Sequence, residues 1–215
     1  MPSASELDAV TVDAFRTLVD LSDPVPALAA ALRARGEERS DDAVRQAFQT
    51  EVAYYLPRAH TGRDEASLLA LRTECARVFL TAAAAPVDPV EFVPDFVGSL
   101  EFRVLPGGAE ALDRLRSAGL ALACVANWDS SLGEYLGRAG VADRFDAVVS
   151  SAEAEALKPD PRIFRLALER LGVPPERALH VGDDEVDREG AAAAGMSFEP
   201  VPLETLPARL GIGAP

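Results

Sequence analysis

The sequence has few cysteines and histidines. Only two cysteines, Cys75 and Cys124, occur among 215 residues, and they lack the CxxC spacing of a zinc or redox site. Both stand in apolar contexts, so we predict inert buried thiols. The histidines are His60 and His180. A Ser-His-Asp catalytic scheme needs a histidine at a strand end, whereas His180 falls inside a predicted strand, and we interpret it as structural.

Basic residues are also scarce. Lys and Arg number 21 against 35 Asp and Glu, which gives a formal net charge of -14. Nucleic acids and anionic membranes bind basic surfaces, so neither is expected as a partner. A small-molecule substrate is favoured instead, and an anionic one would need a cation, a lysine or helix N-termini to overcome the acidic background. Composition leaves the oligomeric state open.

Long apolar runs are missing. No run approaches the roughly 20 residues that span a bilayer, and the first residues lack the basic and apolar regions of a signal peptide. We therefore expect a cytoplasmic protein. The hydrophobic content of 48% is still sufficient for a sizeable core, and the length fits a domain with a modest insertion.

The first apolar stretch is short and isolated. Val10 to Val12 end at Asp13, which is typical of a buried parallel strand that presents a carboxylate at its C-terminal end. From Ser22 to about Leu100 the periodicity is helical, and no strand is predicted there. The predicted helix starts in that stretch are Asp23-Pro24, Ser40 and Asp64.

Helices and strands alternate in the second half of the chain. The predicted helices are 109–118, one from 130, 161–171 and one from about 186, and the strands are 120–126, 147–150 and 178–181. This alternation predicts a parallel sheet with helices on both faces. The early strand and the helical block then indicate an α/β core, residues 1–20 and 99–215, with an all-α insertion at 21–98. The C-terminal end is predicted to be a loose tail.

The residues that follow the predicted strands are the candidates for function. In open α/β sheets, ligands bind beyond the carboxyl ends of the strands. The residues there are Asp13, Ala126 with Asn127, Lys158 and Asp183. We therefore expect these groups to converge on one crevice.

The same segments resemble the four ordered motifs of the haloacid dehalogenase-like hydrolase superfamily. They read Asp13-Ala-Phe-Arg-Thr-Leu, Ala126-Asn-Trp-Asp, Lys158-Pro-Asp-Pro-Arg-Ile-Phe and His180-Val-Gly-Asp-Asp-Glu-Val-Asp. The resemblance implies a doubly wound, Rossmann-like core, and the helical insertion is similar to the family's small cap. Most members are magnesium-dependent phosphatases that act on small phosphomonoesters, so the implied substrate is a phosphomonoester and the implied cofactor is Mg²⁺.

The resemblance also implies roles for individual residues. Asp13 is the candidate nucleophile, because a carboxylate can attack phosphorus and divide the hydrolysis into two easier steps. Lys158 places a positive charge against the nucleophile and a phosphate oxygen, and Thr17 is expected to orient the nucleophile. The residues expected to line the phosphate site are Phe15, Arg16, Ala126, Asn127 and Lys158.

The metal ligands implied by the resemblance are oxygen atoms, which suit Mg²⁺. They come from Asp13, the backbone carbonyl of Phe15 and Asp183, while Asp187 is either a further ligand or a support for the others. Acidic residues are also common at the start of a helix for reasons of dipole alone. A clustered acidic turn opposite Asp13 would nevertheless repel it without a cation.

Three positions depart from the pattern of the family's phosphatases. Phe15 stands where they have a second aspartate that protonates the leaving group. The absence of such a general acid typically lowers the rate by about 10² to 10⁴ for poor leaving groups. Arg16 replaces a glycine. Ala126 replaces a serine or threonine whose hydroxyl donates to phosphate.

These departures leave three hypotheses open. The first is a phosphatase with impaired acid catalysis, and the second is a catalytically weak or inactive protein that binds a phosphate ligand in a regulatory role. The third is a 2-haloacid dehalogenase, because an aromatic residue two positions after the nucleophile is similar to the L-2-haloacid dehalogenases. Those enzymes carry serine and asparagine where this chain has Asp183 and Asp187, so the acidic turn favours a cation and phosphate.

Overall fold

The computed structural model describes residues 3–213, which form two compact units. One unit contains the chain up to Asp20 together with Phe102 onward, and the other is Leu21–Glu101. The strands, in chain order, are β1 (Ala9–Val12), β2 (Val19–Leu21), β3 (Phe102–Val104), β4 (Ala121–Ala126), β5 (Ala147–Ser150), β6 (Ala178–Gly182) and β7 (Ser197–Pro200). The helices are α1 (Val25–Arg33), α2 (Asp41–Tyr55), α3 (Glu65–Ala82), α4 (Pro89–Gly98), α5 (Gly108–Ser117), α6 (Leu132–Arg138), α7 (Ser151–Ala154), α8 (Pro161–Leu171), α9 (Glu185–Ala194) and α10 (Leu206–Arg209).

The first unit is built on a parallel sheet with the strand order β5-β4-β1-β6-β7. The central strand is β1, where Val12 aligns with Cys124 of β4 and with Val181 of β6. All four residues of β1 are buried, as expected for a strand covered on both faces. The predicted α/β fold with a parallel, helix-flanked sheet is therefore confirmed.

Helix packing against this sheet follows the spacing of apolar residues. On α8, Ile163, Phe164 and Ala167 lie on one face and pack with Val125 of β4 and Val149 of β5. Both strands also contact other helices, β4 through α5 and β5 through α6. The sheet thereby brings the carboxyl ends of β1, β4 and β6 side by side.

The second unit consists of α1 to α4 around its own apolar core, in which Phe79 stacks on Phe92 with ring centroids 5.8 Å apart. The predicted helix starts at Ser40 and Asp64 are confirmed. The Ser40 hydroxyl accepts from the backbone N-H of Ala43 at 3.3 Å, and the Asp64 carboxylate accepts from that of Ser67 at 2.8 Å. No helix within residues 3–213 is both long and apolar enough to cross a membrane.

The structure differs from the sequence-based expectation at the C-terminal end. The predicted loose tail contains β7, which extends the sheet by pairing with β6. Beyond it, Leu203, Leu206 and Leu210 are buried. The strand has four residues, none of them fully buried, with Pro200 at its end and Pro202 shortly after it, so its apolar pattern is too weak to stand out. The assignment of 1–20 and 99–215 as catalytic core and of 21–98 as cap stays a prediction.

Candidate active site

Asp13 lies directly after the central strand β1 and is buried. Its backbone N-H donates to the carbonyl of Val181 at 2.9 Å, which continues the pairing with β6 past the end of the strand. The ammonium of Lys158 donates to Asp13 Oδ1 at 2.7 Å and to Asp187 Oδ1 at 2.6 Å. The buried ammonium of Lys158 therefore links the carboxylate that follows β1 with a carboxylate in α9, the helix that follows β6.

Asn127, which follows β4, holds the loop that carries Lys158. The backbone N-H of Lys158 donates to Asn127 Oδ1 at 2.7 Å, and Asn127 Nδ2 donates to the carbonyl of Lys158 at 3.4 Å. The sequence predicted a phosphate-binding role for Asn127. Its side chain positions the lysine, a contact that spans 31 residues of sequence, and the phosphate-binding role, which was assigned to the backbone N-H, stays a prediction.

The acidic turn after β6 lies against Asp13. Oxygen atoms of Asp13, Asp183 and Asp187 all lie within 4.8 Å of one another. Asp187 is buried, and its Oδ2 accepts from the backbone N-H of Asp184 at 3.3 Å, whereas Asp183 is exposed. Asp187 is thus held by protein donors on both oxygens, and Asp183 faces solvent.

A histidine and a threonine extend this network into the sheet. His180 Nε2 lies 3.1 Å from Asp187 Oδ1, and His180 Nδ1 lies 2.8 Å from the hydroxyl of Thr11. Because the ionised Asp187 can only accept, Nε2 carries the proton and Nδ1 accepts from Thr11. Sequence reasoning identified His180 as structural but missed its partner in β1. The available signal was a polar residue in each of two otherwise apolar strands.

The electrostatics of the site follow from burial and from this pairing. Burial raises the pKa of Asp13 to about 6, and Asp187 and Asp183 add to the rise while Lys158 opposes it. Burial alone would also raise the pKa of Asp187, but the bond with His180 and the charge of Lys158 outweigh it and hold that pKa below its ordinary value. Burial and the charge of Asp187 raise the pKa of Asp183.

The two nitrogen bases of the network, His180 and Lys158, differ in charge at pH 7. Burial lowers the pKa of His180 to about 4, so its imidazole is neutral at pH 7. Burial would lower the pKa of Lys158 as well, but the nearby charges of Asp13 and Asp187 raise it above its ordinary value. Lys158 is therefore the charged partner that Asp13 and Asp187 share.

The carboxylate cluster fits a hard divalent cation. Three carboxylates face one ammonium, so negative charge remains in excess, and the raised pKa values of Asp13 and Asp183 reflect that excess together with burial. All donors are oxygen atoms, as Mg²⁺ requires. Of the predicted ligands, Asp13 and Asp183 retain oxygens free of the Lys158 contact, while Asp187 is already bonded on both oxygens.

The loop after Asp13 contains two of the three positions that depart from the family pattern, Phe15 and Arg16. The side chain of Phe15 is 38% exposed, and Arg16 adopts a left-handed backbone with φ of 60°. A non-glycine residue is strained in that conformation, which explains why the related motif has glycine there. The hydroxyl of Thr17 is buried without a hydrogen-bond partner among the described residues. The predicted orienting role of Thr17 thus has no visible contact.

The chain is similar to several known proteins. A family model described as haloacid dehalogenase-like hydrolase matches residues 7–195. Haloacid dehalogenase-like hydrolase domain-containing protein 3 of Mus musculus is 36% identical over 202 residues, which covers 89% of this chain and 80% of the relative. Phosphoserine phosphatase of Thermus thermophilus is 42% identical over 118 residues, covering 54% of this chain and 47% of that enzyme. The structure of L-2-haloacid dehalogenase from Xanthobacter autotrophicus superposes with a TM-score of 0.65 at 28% identity, covering 91% of this chain and 77% of that one.

Proposed function

The chain belongs to the haloacid dehalogenase-like hydrolase family, and on that premise we propose that it is a magnesium-dependent phosphatase of small phosphomonoesters. The observation that carries the proposal is the buried Asp13 bonded to Lys158 beside the Asp183 and Asp187 carboxylates. A similar phosphoserine phosphatase supports this class of reaction.

The proposed reaction uses the chain's own groups in two steps. An oxygen of Asp13 bonds to phosphorus, and the bond to the leaving oxygen breaks with its electron pair. Water then hydrolyses the aspartyl-phosphate, which releases inorganic phosphate and restores the Asp13 carboxylate. Lys158 orients Asp13 and stabilises charge on the phosphoryl group. When bound at the carboxylate cluster, Mg²⁺ would supply further neutralisation of phosphate charge.

Protonation of the leaving group is the weak part of the proposed reaction. Phe15 has no ionisable group, so the departing oxygen leaves as an anion. Without a general acid, poor leaving groups lose about 10² to 10⁴ in rate, and good leaving groups lose much less. We therefore propose a steep dependence of the rate on the pKa of the leaving group.

The test is a series of aryl and alkyl phosphates assayed with and without Mg²⁺. We expect hydrolysis that falls steeply as the leaving group becomes less acidic and that stops in chelator. Asp13→Asn should abolish activity, whereas Asp143→Asn, at an 87% exposed side chain, should retain it. Undiminished turnover in Asp13→Asn or in chelator would contradict the proposal.

A second candidate function is hydrolytic dehalogenation, favoured by Phe15 and by the likeness to the Xanthobacter enzyme. In that reaction Asp13 would attack carbon and displace halide. The acidic pair Asp183 and Asp187 counts against it, because those carboxylates suit a cation. Halide release from 2-chloropropionate would support dehalogenation, and its absence would contradict it.

A thermal shift with inorganic phosphate but no hydrolysis of any phosphoester would instead support a binding or regulatory protein.

A further inference from the structure

Four aromatic rings form one continuous cluster in the first unit. Phe102 of β3 lies at its centre, with ring centroids 4.8 Å from Trp128, 5.1 Å from Tyr135 and 6.4 Å from Phe15. Trp128 and Tyr135 are 5.7 Å apart. The contacts of Phe102 are edge-to-face, the geometry that aromatic quadrupoles prefer. We call Phe15, Phe102, Trp128 and Tyr135 the aromatic cluster.

The aromatic cluster is attached to the catalytic residues at two points. Phe15 stands two residues after Asp13, in the loop that closes when the backbone N-H of Arg16 donates to Val19 at 2.8 Å. Trp128 follows Asn127, whose side chain holds the backbone of Lys158. The end of β1 positions Asp13, and the end of β4 positions Lys158 through Asn127. Each of these two strand ends therefore also positions a ring of the cluster.

Exposure increases from one side of the cluster to the other. Trp128 and Tyr135 are each 7% exposed, Phe102 is partly buried, and Phe15 is 38% exposed. Trp128 is fixed by Ser151, whose hydroxyl accepts from its backbone N-H at 3.1 Å and donates to its carbonyl at 2.9 Å. Two buried rings thus pack against Phe102, and Phe102 and Phe15 keep exposed surface.

We propose that the aromatic cluster binds the aryl group of the substrate, so that the preferred substrates are aryl phosphates. This inference rests on the proposed phosphatase function. Phe15 then accounts for two properties at once, because it adds apolar contact area where the family's phosphatases have a proton donor. An aryl oxide tolerates the missing donor. As Asp13 bonds to phosphorus, the aryl oxide leaves with the electron pair and takes its proton from solvent water.

The decisive comparison separates aromatic contact from leaving-group acidity. Phenyl phosphate is compared with hexafluoroisopropyl phosphate, a non-aromatic ester whose alcohol is about as acidic as phenol. We expect kcat/KM about tenfold higher for phenyl phosphate, and a lower KM for naphthyl phosphate. Equal values of kcat/KM for the two esters would leave the phosphatase proposal standing and overturn the aromatic site.

Two variants test the cluster itself. Phe102→Leu and Phe15→Leu should each remove most of the preference for phenyl phosphate, measured as the ratio of kcat/KM for phenyl phosphate to kcat/KM for the fluoroalkyl ester. Phe15 is exposed, so its replacement leaves the packed rings in place. Phe145→Leu, a partly buried ring outside the cluster, is the matched control and should keep the preference. A preference that survives both cluster variants contradicts the proposal.

A binding measurement distinguishes failure of this inference from failure of the phosphatase proposal. Trp128 is the single tryptophan of the chain, so its fluorescence reports on the cluster alone. Phenylphosphonate, which cannot be hydrolysed, should change that fluorescence and bind about tenfold more tightly than methylphosphonate. Binding of this kind without turnover of any ester would preserve the aromatic site and remove the phosphatase. Equal affinity for the two phosphonates would remove the aromatic site.

Discussion

Asp187 and Glu51 are both buried carboxylates, one in each unit, and their surroundings shift their pKa values in opposite directions. Asp187 has Lys158 and His180 as partners, and its pKa lies below the ordinary value despite burial. Burial raises the pKa of Glu51 to about 7, opposed only by a hydrogen bond with the thiol of Cys75. Burial alone therefore does not fix the charge of an internal carboxylate, because the partner decides it.

The two carboxylates consequently stabilise the fold at different pH. A carboxylate whose pKa is lowered in the folded state stabilises the fold at pH values above its pKa in the unfolded chain, and that stabilisation is lost as pH falls through the folded-state pKa. This is the case for Asp187. A raised pKa stabilises the fold fully below the unfolded value of 4.5, and that stabilisation is lost as pH rises through about 7. This is the case for Glu51.

The largest expected effect on stability comes from removing Lys158, the positively charged partner that Asp187 has and Glu51 lacks. Lys158→Met leaves Asp13 and Asp187 buried without a positive partner, so we expect a loss of about 3 to 5 kcal/mol in the free energy of unfolding. Urea unfolding in chelator measures it. Arg162→Met, an exposed cation in the following helix, is the control and should change stability by less than about 0.5 kcal/mol. Equal losses in both variants would contradict the shared role of Lys158.

The second prediction concerns Glu51. Because Glu51→Gln removes the titrating group, its stability relative to the native protein should rise between pH 4.5 and pH 8 by about 3 kcal/mol. Chemical denaturation at several pH values gives the difference. Glu38→Gln, at an exposed loop position of the same unit, provides the comparison. Parallel pH profiles for the two variants would show that Glu51 is not the titrating group.

The third prediction tests the close packing around Asp187. A Cβ at Gly182 would overlap the Asp187 carboxyl, so Gly182→Ala should cost about 1 to 3 kcal/mol of stability and reduce any hydrolysis. Gly137 in α6 has open space around its Cβ position, and Gly137→Ala should stabilise by about 0.5 to 1 kcal/mol. Thermal or urea unfolding compares the pair. The expectation fails if both alanines stabilise the fold.

The smallest effect is expected at the far end of the Asp187 network. Thr11→Val removes the hydroxyl that donates to His180 and should cost about 1 kcal/mol, because a buried ring nitrogen loses its partner. Urea unfolding at pH 7 is the measurement. Thr50→Val, at an exposed helical position, should stay within about 0.5 kcal/mol. If the two valines have equal effects, Thr11 contributes nothing to the orientation of His180.

Family and fold could be predicted from the sequence because both depend on local patterns. Short apolar runs indicated β1 and β6, and polar residues before helical stretches indicated the starts at Ser40 and Asp64. Alternation of helices and strands then predicted the parallel sheet. β7 and β3 were not predicted, because three or four residues at a sheet edge leave too short a pattern.

The contacts within the site could be predicted only in part. Position after a strand identified Asp13, Lys158 and Asp183 as neighbours, and their functional roles stay a prediction. The use of Asn127 as a support for Lys158 depends on a loop 31 residues away, and the pairing of Thr11 with His180 joins residues 169 apart. Such contacts are set by strand order and register, which periodicity does not contain.

The central position of β1 has a consequence for the order of folding. Both of its neighbours in the sheet, β4 and β6, are synthesised after it, and residues 21–101 lie between β1 and the rest of its unit. The helices of that intervening segment form local contacts early, whereas β1 keeps at least one unpaired edge until residue 182 has been made. We therefore expect Asp13, the proposed nucleophile, to acquire its surroundings only after residue 182 has been made.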